Sequence, residues 1–347
     1  MGRVKLVVLD RRHKGWKPRR RMAPSFQHLA PGSLWLDNSG NRIRAHGAGL
    51  LSHDGLYYWY GAHGYRRPDL FEGPPNRRIN VYYSNSLERW NASELPAFEI
   101  DHGYVDRPKV VHSREKDLFV MWMKATPYVA VATSTSPLGP FTLRGRWRPF
   151  DLAVGDLTTF VPNPFKPGGF IVFSVKPTTP GTTRVLRIHK LTSDLMNITD
   201  DPAPHAIIPL PREAPAVFYG ELTGKYYLWT SHVSGWKPNA PEVFTAPSMG
   251  GPWTSIGNPT FSATGYNSQV SYILPLGIEH GHERFLCAAD RFDPYINTSE
   301  SGRYVWNPLE VFRERSREGD RHVDRLVMND RCDHFYCDYY WAKAEVD

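Results

Sequence analysis

Apolar and aromatic residues recur along the chain in short runs, most of them entered from a glycine or a charged residue. Five of these runs have the aromatic and β-branched composition typical of β-strands. They are LYYWY (56–60), LFVMWM (118–123), FIVF (170–173), YYLWT (226–230) and RFLCAA (284–289). The runs are roughly fifty to sixty residues apart, which is the repeat length expected for the blades of a β-propeller.

A second phrase follows the run in three of the five units and reads as a strand, a turn and an aromatic residue. Two of its turns, GPF (139–141) and GPW (251–253), are near copies of each other. This repetition predicts four-stranded blades around a central channel, so the predicted fold class is all-β, a five-bladed β-propeller. No long segment keeps an apolar period of three to four residues, and only the segment 308–315 is predicted to form one short helical turn.

The residue composition agrees with this fold class. Aromatic residues make up 13% of the chain, and its 30 Pro and 28 Gly imply frequent turns between short segments. The 347 residues suffice for a sizeable core, and closed all-β folds often use this much chain as one domain. We therefore predict a basic N-terminal extension (1–30), a propeller (31–325) and an aromatic-rich C-terminal segment packed on the propeller (326–347).

Charge and cysteine usage narrow the range of partners. The formal net charge is +7, with basic runs at 11–21 and around 313–321. Such runs are ordinarily solvated arms, and no nucleic-acid motif accompanies them. No apolar stretch is long enough to span a membrane. We therefore expect a monomer that has neither nucleic acid nor a membrane as its partner.

The three cysteines form neither an even disulfide set nor a metal-binding pattern such as CxxC. Cys332 and Cys337 can pair, which would leave Cys287 as a buried thiol. The sequence contains no evident ligand cluster for a metal and no cofactor motif, so neither a metal nor a cofactor is predicted.

Carboxylates precede three of the strand runs, at Asp106, Asp156 and Glu213. The innermost strands of all blades converge on one pocket, so acids at early blade positions are expected to meet there. Asp106 and Glu213 share a phrase in which a proline follows the acid two positions later. Hydrolysis of a glycosidic bond needs one protonated carboxyl group and a second group that activates water or attacks the sugar. Acids from separate blades meet that need.

The chain resembles glycoside hydrolase family 43, and most closely its exo-β-1,3-galactanase branch, over residues 43–310. The phrases that carry the resemblance follow one another in family order across five blades. They are AHGAGLL (45–51), LYYWYGA (56–62), DRPKV (106–110), MWM (121–123), AVATSTSPLGPFT (130–142), REAPAVF (212–218), YYLWTS (226–231), SGWKPN (234–239) and NSQVSYILPL (267–276).

The resemblance implies an inverting, exo-acting hydrolase of β-1,3-linked galactan, the backbone of arabinogalactan side chains, and the family context suggests a secreted protein. It implies that Glu213 is the general acid and that the charge of Asp156 raises the proton affinity of that acid. Most of the family has a first-blade aspartate as general base. The galactanase branch instead positions water with a glutamine, which is Gln269 here. An amide is a poor base, so a structural role for Gln269 stays open, as do an ion pair for Glu213 and a turn cap for Asp156.

Four further residues are candidates for sugar contacts: His46, Tyr128, Ser234 and Trp236. His46 lies where a first-blade base is expected, and it either binds a sugar hydroxyl, activates water or lines the pocket with its hydrogen bonds satisfied. Tyr128 and Trp236 offer aromatic faces on which a pyranose ring can stack, although such rings also pack within blades. Ser234 belongs to the same phrase as Trp236.

Two positions depart from the galactanase branch. Asp106 and Ala62 each stand where that branch usually has a glutamate. A catalytic carboxylate displaced by about 1 Å loses a large factor in rate. Two alternatives therefore stay open: a family 43 hydrolase of arabinofuranosides or xylosides, and a catalytically inactive propeller that binds sugars.

Overall fold

The backbone forms five antiparallel sheets, and within each sheet the strands follow one another in sequence, except that the short β5 pairs beside β4 on β3. The structure is a computed structural model that describes residues 32–64, 76–163, 165–177, 183–235, 237–291, 303–315, 322–329 and 341–346. The described residues contain no α-helix. The five-bladed, all-β prediction is therefore confirmed.

The first two sheets account for the N-terminal part of the described chain. The first sheet contains β1 (His46–His53), β2 (Leu56–Ala62), β3 (Arg78–Ser84), β4 (Asn91–Ala92) and β5 (Phe98–Glu99). The second sheet contains β6 (Asp106–Ser113), β7 (Leu118–Ala125), β8 (Tyr128–Ser134) and β9 (Thr142–Trp147). A 3₁₀ turn at Pro149–Asp151 leads into the third sheet.

The remaining three sheets repeat the same order of strands. The third contains β10 (Val154–Phe160), β11 (Gly169–Val175), β12 (Val185–Leu191) and β13 (Ala206–Ile208). The fourth contains β14 (Arg212–Gly220), β15 (Lys225–His232), β16 (Glu242–Ala246) and β17 (Thr254–Gly257). The fifth contains β18 (Gln269–Glu279), β19 (His282–Arg291), β20 (Arg303–Arg315), β21 (His322–Asn329) and β22 (Trp341–Val346). The five repeated runs of the sequence are the second strands of these sheets.

The first strands of the sheets form a closed ring around the axis. Strand β1 contacts β6, β6 contacts β10, β10 contacts β14, β14 contacts β18, and β18 contacts β1. Because every first strand lies against two others, residues at the start of different blades come together although 48 or more positions separate them in sequence. This ring is the feature that positions the site.

The hydrophobic core is divided into five clusters, one at each interface between adjacent blades. Strand β7 shows how one run supplies two clusters. Phe119, Met121 and Met123 pack against the first blade, whereas Val120 and Trp122 pack against the third. Successive side chains of a strand point to opposite faces, and in a propeller both faces are covered. The second strands therefore read as unbroken apolar runs.

An aromatic cluster closes the ring between the first and fifth blades. The ring centroid of Trp59 lies 4.6 Å from that of Tyr304 and 4.5 Å from that of Trp306. The indole N–H of Trp59 donates to the carbonyl of Ala45 at 3.0 Å, and the Ala45 N–H donates to the Tyr304 hydroxyl at 2.9 Å. Buried Tyr and Trp need such partners for their polar atoms, so the seam combines apolar packing with specific hydrogen bonds.

One local prediction is wrong. The segment 308–315 is not a helical turn but the second half of β20, which pairs with β19 and β21. Leu309 and Val311 are fully buried at the interface between the fourth and fifth blades. A short apolar run does not distinguish a helix from a buried strand by its period alone, and here the neighbouring strands decide.

Several other predictions fall on the C-terminal part or outside the described chain. Strands β21 and β22 extend the fifth sheet at its outer edge. Cys287 is a buried free thiol. The extension 1–30 and the pair Cys332 and Cys337 lie outside the described residues.

Gly49→Ala should destabilise the propeller, because a Cβ at this position would lie 2.2 Å from the carbonyl oxygen of Pro108 on the neighbouring inner strand. Overpacking of this kind costs about 1–3 kcal/mol, and we expect a loss of that size in the free energy of unfolding measured with urea. Gly250→Ala is the control, since the atom nearest its Cβ belongs to the flexible side chain of His205, at 3.2 Å. Equal losses in the two variants would contradict a backbone contact at the axis.

Candidate active site

The five blades start with the same construction at the axis. Close to the start of every inner strand, a β-bulge adds one residue to that strand. The pair that directly precedes the bulge is His46 with Ala62, Asp106 with Lys124, Val154 with Val175, and Glu213 with Ser231 in blades one to four. In blade five the first pair is Gln269 with Asp290, and one further pair separates it from the bulge. We call the first member of each pair an inner-ring residue. Four of the predicted site residues, His46, Asp106, Glu213 and Gln269, occupy this inner ring.

The bulge explains the shared acid-X-Pro phrase. Pro108 and Pro215 lie within the bulges of β6 and β14, where the ladder is interrupted and a residue without an N–H is tolerated. The residues just before these prolines, Arg107 and Ala214, have left-handed backbone with φ of 48° and 50°. In blade one the equivalent position is Gly47, where a Cβ would lie 2.8 Å from Asp106 Oδ1. The bulges thus re-aim the inner-ring side chains.

Glu213 is buried and has one cationic partner. Its Oε2 accepts a hydrogen bond from Arg184 Nη1 at 2.9 Å, and its Oε1 lies 3.5 Å from Gln269 Nε2. Burial and the nearby charge of Asp156 raise the pKa of Glu213, although Arg184 opposes this shift. The neighbouring Arg212 instead contacts Glu242. Glu213 therefore holds a proton more readily than an exposed glutamate.

Asp156 lies two residues beyond the inner-ring position of the third blade. Its Oδ1 accepts a hydrogen bond from Lys124 Nζ at 2.7 Å and lies 3.2 Å from Arg107 Nε. Its Oδ2 accepts the N–H of Ala214, the residue after Glu213, at 3.2 Å. Burial alone would raise the pKa of Asp156, but the charges of Arg107 and Lys124 outweigh burial and hold this pKa well below its usual value. Asp156 is thus ionised when Glu213 is protonated.

Asp106 and Gln269 face this pair from the second and fifth blades. Asp106 accepts hydrogen bonds from the Tyr104 hydroxyl at 2.8 Å and from the Arg107 N–H at 2.6 Å. The amide nitrogen of Gln269 donates to Ser231 Oγ at 2.9 Å, and its oxygen accepts from the Arg107 guanidinium. Because both ends of the amide are held, its NH₂ group is directed toward Glu213.

A small polar cavity lies beside Gln269. It has a volume of about 20 Å³ and is lined by Ser231, Asn239, Asn267, Ser268 and Gln269 among others. A volume of this size, with several polar partners, suffices for one water molecule. The Gln269 amide is therefore within reach of a place where water can be ordered.

His46 lies at the seam between the first and fifth blades. Its Nδ1 is 3.5 Å from Asp290 Oδ1, and its ring stacks on Tyr304 with centroids 5.3 Å apart. Asp290 also accepts the Gly47 N–H at 3.1 Å and the hydroxyl of Ser271. The histidine at this inner-ring position thus lies beside a buried carboxylate and against an aromatic ring.

The other predicted sugar contacts make hydrogen bonds or ring contacts within their own blades. Tyr128 begins β8, and Arg146 Cζ lies 4.5 Å from its ring centroid. Ser234 donates to the carbonyl of Lys237 at 2.5 Å and accepts from Asn239 within the loop after β15. Trp236 lies outside the described residues. The contacts of Tyr128 and Ser234 are thus local to the second and fourth blades, and their roles stay predictions.

Sequence reasoning missed the polar residues that connect the acids. These are Tyr104, Arg107, Lys124, Arg184, Ser231 and Asp290. Lys124, Ser231 and Asp290 each end an apolar run directly opposite an inner-ring residue, which is a detectable signal once the register is known. Nothing local marks Arg184, which is brought to Glu213 by the path of the third blade. A Cβ on Gly155 would lie 3.1 Å from Arg184 Nη1, so this glycine leaves room for that path.

The described residues contain no group of three or more His, Cys, Asp or Glu placed to hold a metal ion. In the same part of the chain, no helix is long and apolar enough to cross a membrane.

Solved structures share this fold. An exo-β-1,3-galactanase from Phanerochaete chrysosporium, solved with β-1,3-galactotriose, has a TM-score of 0.70 and 28% identity over 81% of this chain and 64% of that one. The exo-β-1,3-galactanase of Clostridium thermocellum has a TM-score of 0.68 and 27% identity, over 81% and 62% of the two chains. A GH43 β-1,3-galactosidase solved with galactodeoxynojirimycin gives 0.66 and 27%, over 84% and 96%. The chain therefore spans less than two thirds of the first two proteins. No protein-family model and no curated protein sequence matches it.

Asp156→Asn should lower the free energy of unfolding by about 3 kcal/mol near pH 7, because it leaves the buried Arg107 and the half-buried Lys124 without their carboxylate. The depressed pKa of Asp156 sets the sign of the pH dependence. The contribution of Asp156 to the free energy of unfolding is fully present above the pKa of 3.8 that it has in the unfolded chain. This contribution is lost as the pH falls through the pKa of the folded protein. The difference between wild type and variant in urea titrations should thus narrow below about pH 4.

The exposed Asp151→Asn is the control for this measurement. A difference between wild type and Asp156→Asn that stays constant from neutral to acidic pH would contradict the ion-pair account.

The sequence and the structure agree on the relatives of this protein. Phrases from four of the five blades resemble family 43 in its own order, and the described propeller superposes on solved GH43 β-1,3-galactosidases and on exo-β-1,3-galactanases. The chain is therefore a structural relative of the exo-β-1,3-galactanases and β-1,3-galactosidases of glycoside hydrolase family 43.

Proposed function

We propose that this protein is a glycoside hydrolase that removes galactose from the end of β-1,3-linked galactan with inversion of configuration, and that Glu213 is its general acid. The observation that carries the proposal is the pair Asp156 and Glu213. Two buried carboxyl groups with pKa values shifted in opposite directions are characteristic of acid and base assignments in enzymes.

Glu213 supplies the proton for the leaving glycosidic oxygen. Its raised pKa keeps a larger protonated fraction near neutral pH than an ordinary glutamate has, which suits a general acid. Asp156 stays ionised and repels negative charge on Glu213, so the proton is retained until the leaving oxygen takes it. The bond from the Ala214 N–H to Asp156 fixes the distance over which this effect acts.

Gln269 is assigned to the attacking water. Its amide is oriented by Ser231 and Arg107 and lies next to a cavity that can order a water molecule. In inverting enzymes the groups that flank the sugar are about 6.5–9.5 Å apart to leave room for water. The 3.5 Å contact between Gln269 and Glu213 therefore has to open when sugar binds. Asp106, on the same ring, is assigned to hold a sugar hydroxyl.

The substrate class comes from the structural neighbours. A neighbour at 28% identity was solved with β-1,3-galactotriose, and another with galactodeoxynojirimycin. A closed ring of inner-ring side chains at one end of the channel also suits the terminal sugar of a chain better than its middle. These considerations favour galactan over arabinofuranosides and xylosides.

Glu213→Gln should lower the rate of galactose release from β-1,3-galactan by a factor of about 10²–10⁴, because the amide cannot donate the proton that the leaving oxygen needs. Release is measured with a reducing-sugar or chromatographic assay. The control is Glu221→Gln, which changes an exposed glutamate at the far end of β14 and should keep full activity.

The outcomes of this assay separate the alternatives. Full activity of Glu213→Gln would remove the assignment of the general acid. If wild type releases no galactose but cleaves aryl arabinofuranosides or xylosides, the substrate is another one. If it cleaves none of these yet binds galactan, the propeller is a sugar-binding protein.

The configuration of the first product tests inversion independently of the rate. Proton NMR of galactose released from a β-1,3-linked oligosaccharide should show the α anomer before mutarotation, because a single displacement inverts the anomeric carbon. Initial appearance of the β anomer would instead require a nucleophile and a covalent intermediate.

A further inference from the structure

Besides Lys109, whose ammonium donates to the carbonyls of Gly47, Ala48 and Pro108, four cationic side chains lie around the three carboxylates of the candidate site. The cations are Arg107, Lys124, Lys176 and Arg184, and the carboxylates are Asp106, Asp156 and Glu213. Ion pairs among the described residues give three of these four cations a carboxylate partner. Asp156 takes both Arg107 and Lys124, and Glu213 takes Arg184. Lys124 also lies 4.0 Å from Asp106.

Lys176 is the cation without a carboxylate within ion-pair distance among the described residues. It follows β11 directly, and its N–H donates to the carbonyl of Ala153 at 2.8 Å. Its neighbour Val175 pairs with the inner-ring residue Val154, so Lys176 lies at the pocket end of the third blade. Its side chain is half-buried, and burial together with the charges of Lys124 and Arg184 lowers its pKa.

The excess of positive charge grows when Glu213 is protonated, which is the state that donates the proton. Once Glu213 carries the proton that it is to donate, Arg184 has lost its anionic partner. Arg184 and Lys176 are then two partly buried cations beside the general acid. Cations in this position are costly unless an anion joins them. A general acid faces the oxygen of the leaving group, so these two cations lie on the side of the sugar that leaves.

We propose that the leaving-group side of this pocket recognises an acidic sugar, one that carries a carboxylate or a sulfate group, through Arg184 and Lys176. The inference rests on the proposed function, because it takes Glu213 as the acid that defines the leaving-group side. A guanidinium binds planar carboxylates with two parallel hydrogen bonds, and an ammonium adds a charge-assisted bond.

An acidic sugar would also change the state of Glu213. Arg184 donates to Glu213 Oε2 in the structure, and this contact favours the ionised carboxylate. An anion that takes over the Arg184 guanidinium removes that influence, so Glu213 gains proton affinity when such a sugar binds. Binding of such a substrate thereby raises the protonated fraction of the acid that cleaves it.

The test compares three disaccharides that differ only in the leaving sugar: galactosyl-β-1,3-galactose, its counterpart with galacturonic acid as the leaving sugar, and its counterpart with 6-sulfogalactose. Wild type should show a kcat/KM about tenfold higher for at least one acidic disaccharide than for the neutral one, the size expected for one charge-assisted contact. Which acidic disaccharide is preferred identifies the anion. High salt should reduce the preference.

Lys176→Met should remove most of this preference, because it should lower kcat/KM for the preferred acidic disaccharide by a larger factor than kcat/KM for the neutral one. Lys190→Met, an exposed lysine on β12 of the same blade, is the matched control and should keep the preference. Equal kcat/KM values for all three disaccharides in wild type, or an unchanged preference in Lys176→Met, would overturn the proposal.

A binding measurement separates failure of this inference from failure of the proposed function. Calorimetry should show tighter binding of galacturonic acid than of galactose to wild type, and a loss of that difference in Lys176→Met. This result supports the acidic subsite even if no disaccharide is cleaved. Equal affinities, together with cleavage of the neutral disaccharide, would leave the hydrolase in place and remove the acidic subsite.

Discussion

The carboxylate of Asp156 is the contact on which the organisation of the site depends. It bonds to Lys124 and pairs with Arg107 from the second blade, and it accepts the Ala214 N–H from the fourth blade, although it belongs to the third. A single buried side chain thus links three blades at the axis. Buried charges persist only when they are paired and hydrogen-bonded, and this arrangement satisfies both oxygens of Asp156. The same ionised group raises the pKa of Glu213.

The five blades repeat one local backbone geometry at the axis but place different side chains on it. Each blade contributes one inner-ring residue that lies close to a bulge in the inner strand, so the backbone is similar in every blade. The side chain at that point is free to differ: His46, Asp106, Val154, Glu213 and Gln269. An acid, an amide and an imidazole therefore meet in one ring without any change in the architecture that carries them. Function resides in these substitutions on a common frame, as it does in other widely used folds.

The charges around Asp156 and Glu213 decide which of the two carboxyl groups holds a proton. Cations hold Asp156 in its ionised form, whereas burial and like charge favour protonation of Glu213. Arg184 works against that protonation, so the state of Glu213 depends on what else Arg184 contacts. A site with this balance responds to the charge of its ligand as well as to its shape. Lys176 has no carboxylate partner among the described residues, and its charge acts on both Asp156 and Glu213.

Much of the fold and part of the site followed from the sequence. The five apolar runs became the second strands of five blades because both faces of these strands are buried, and such strands are recognisable without a partner. The shared acid-X-Pro phrase of Asp106 and Glu213 was visible in the sequence, and the structure shows that its prolines lie in bulges at the axis, where the ladder is broken. Segment 308–315 shows the limit of this reasoning, because its state depends on pairing with β19 and β21.

What the tertiary structure alone decided is the set of partners. Arg184 reaches Glu213 across 29 positions, Asp156 reaches the Ala214 N–H across 58, and Gln269 approaches Glu213 across 56. Each contact joins groups from different segments whose spacing carries no local pattern. Composition and period describe how one segment buries its own side chains. The charge that an acid finds opposite it, and hence its proton affinity, is set only when separate blades meet around the axis.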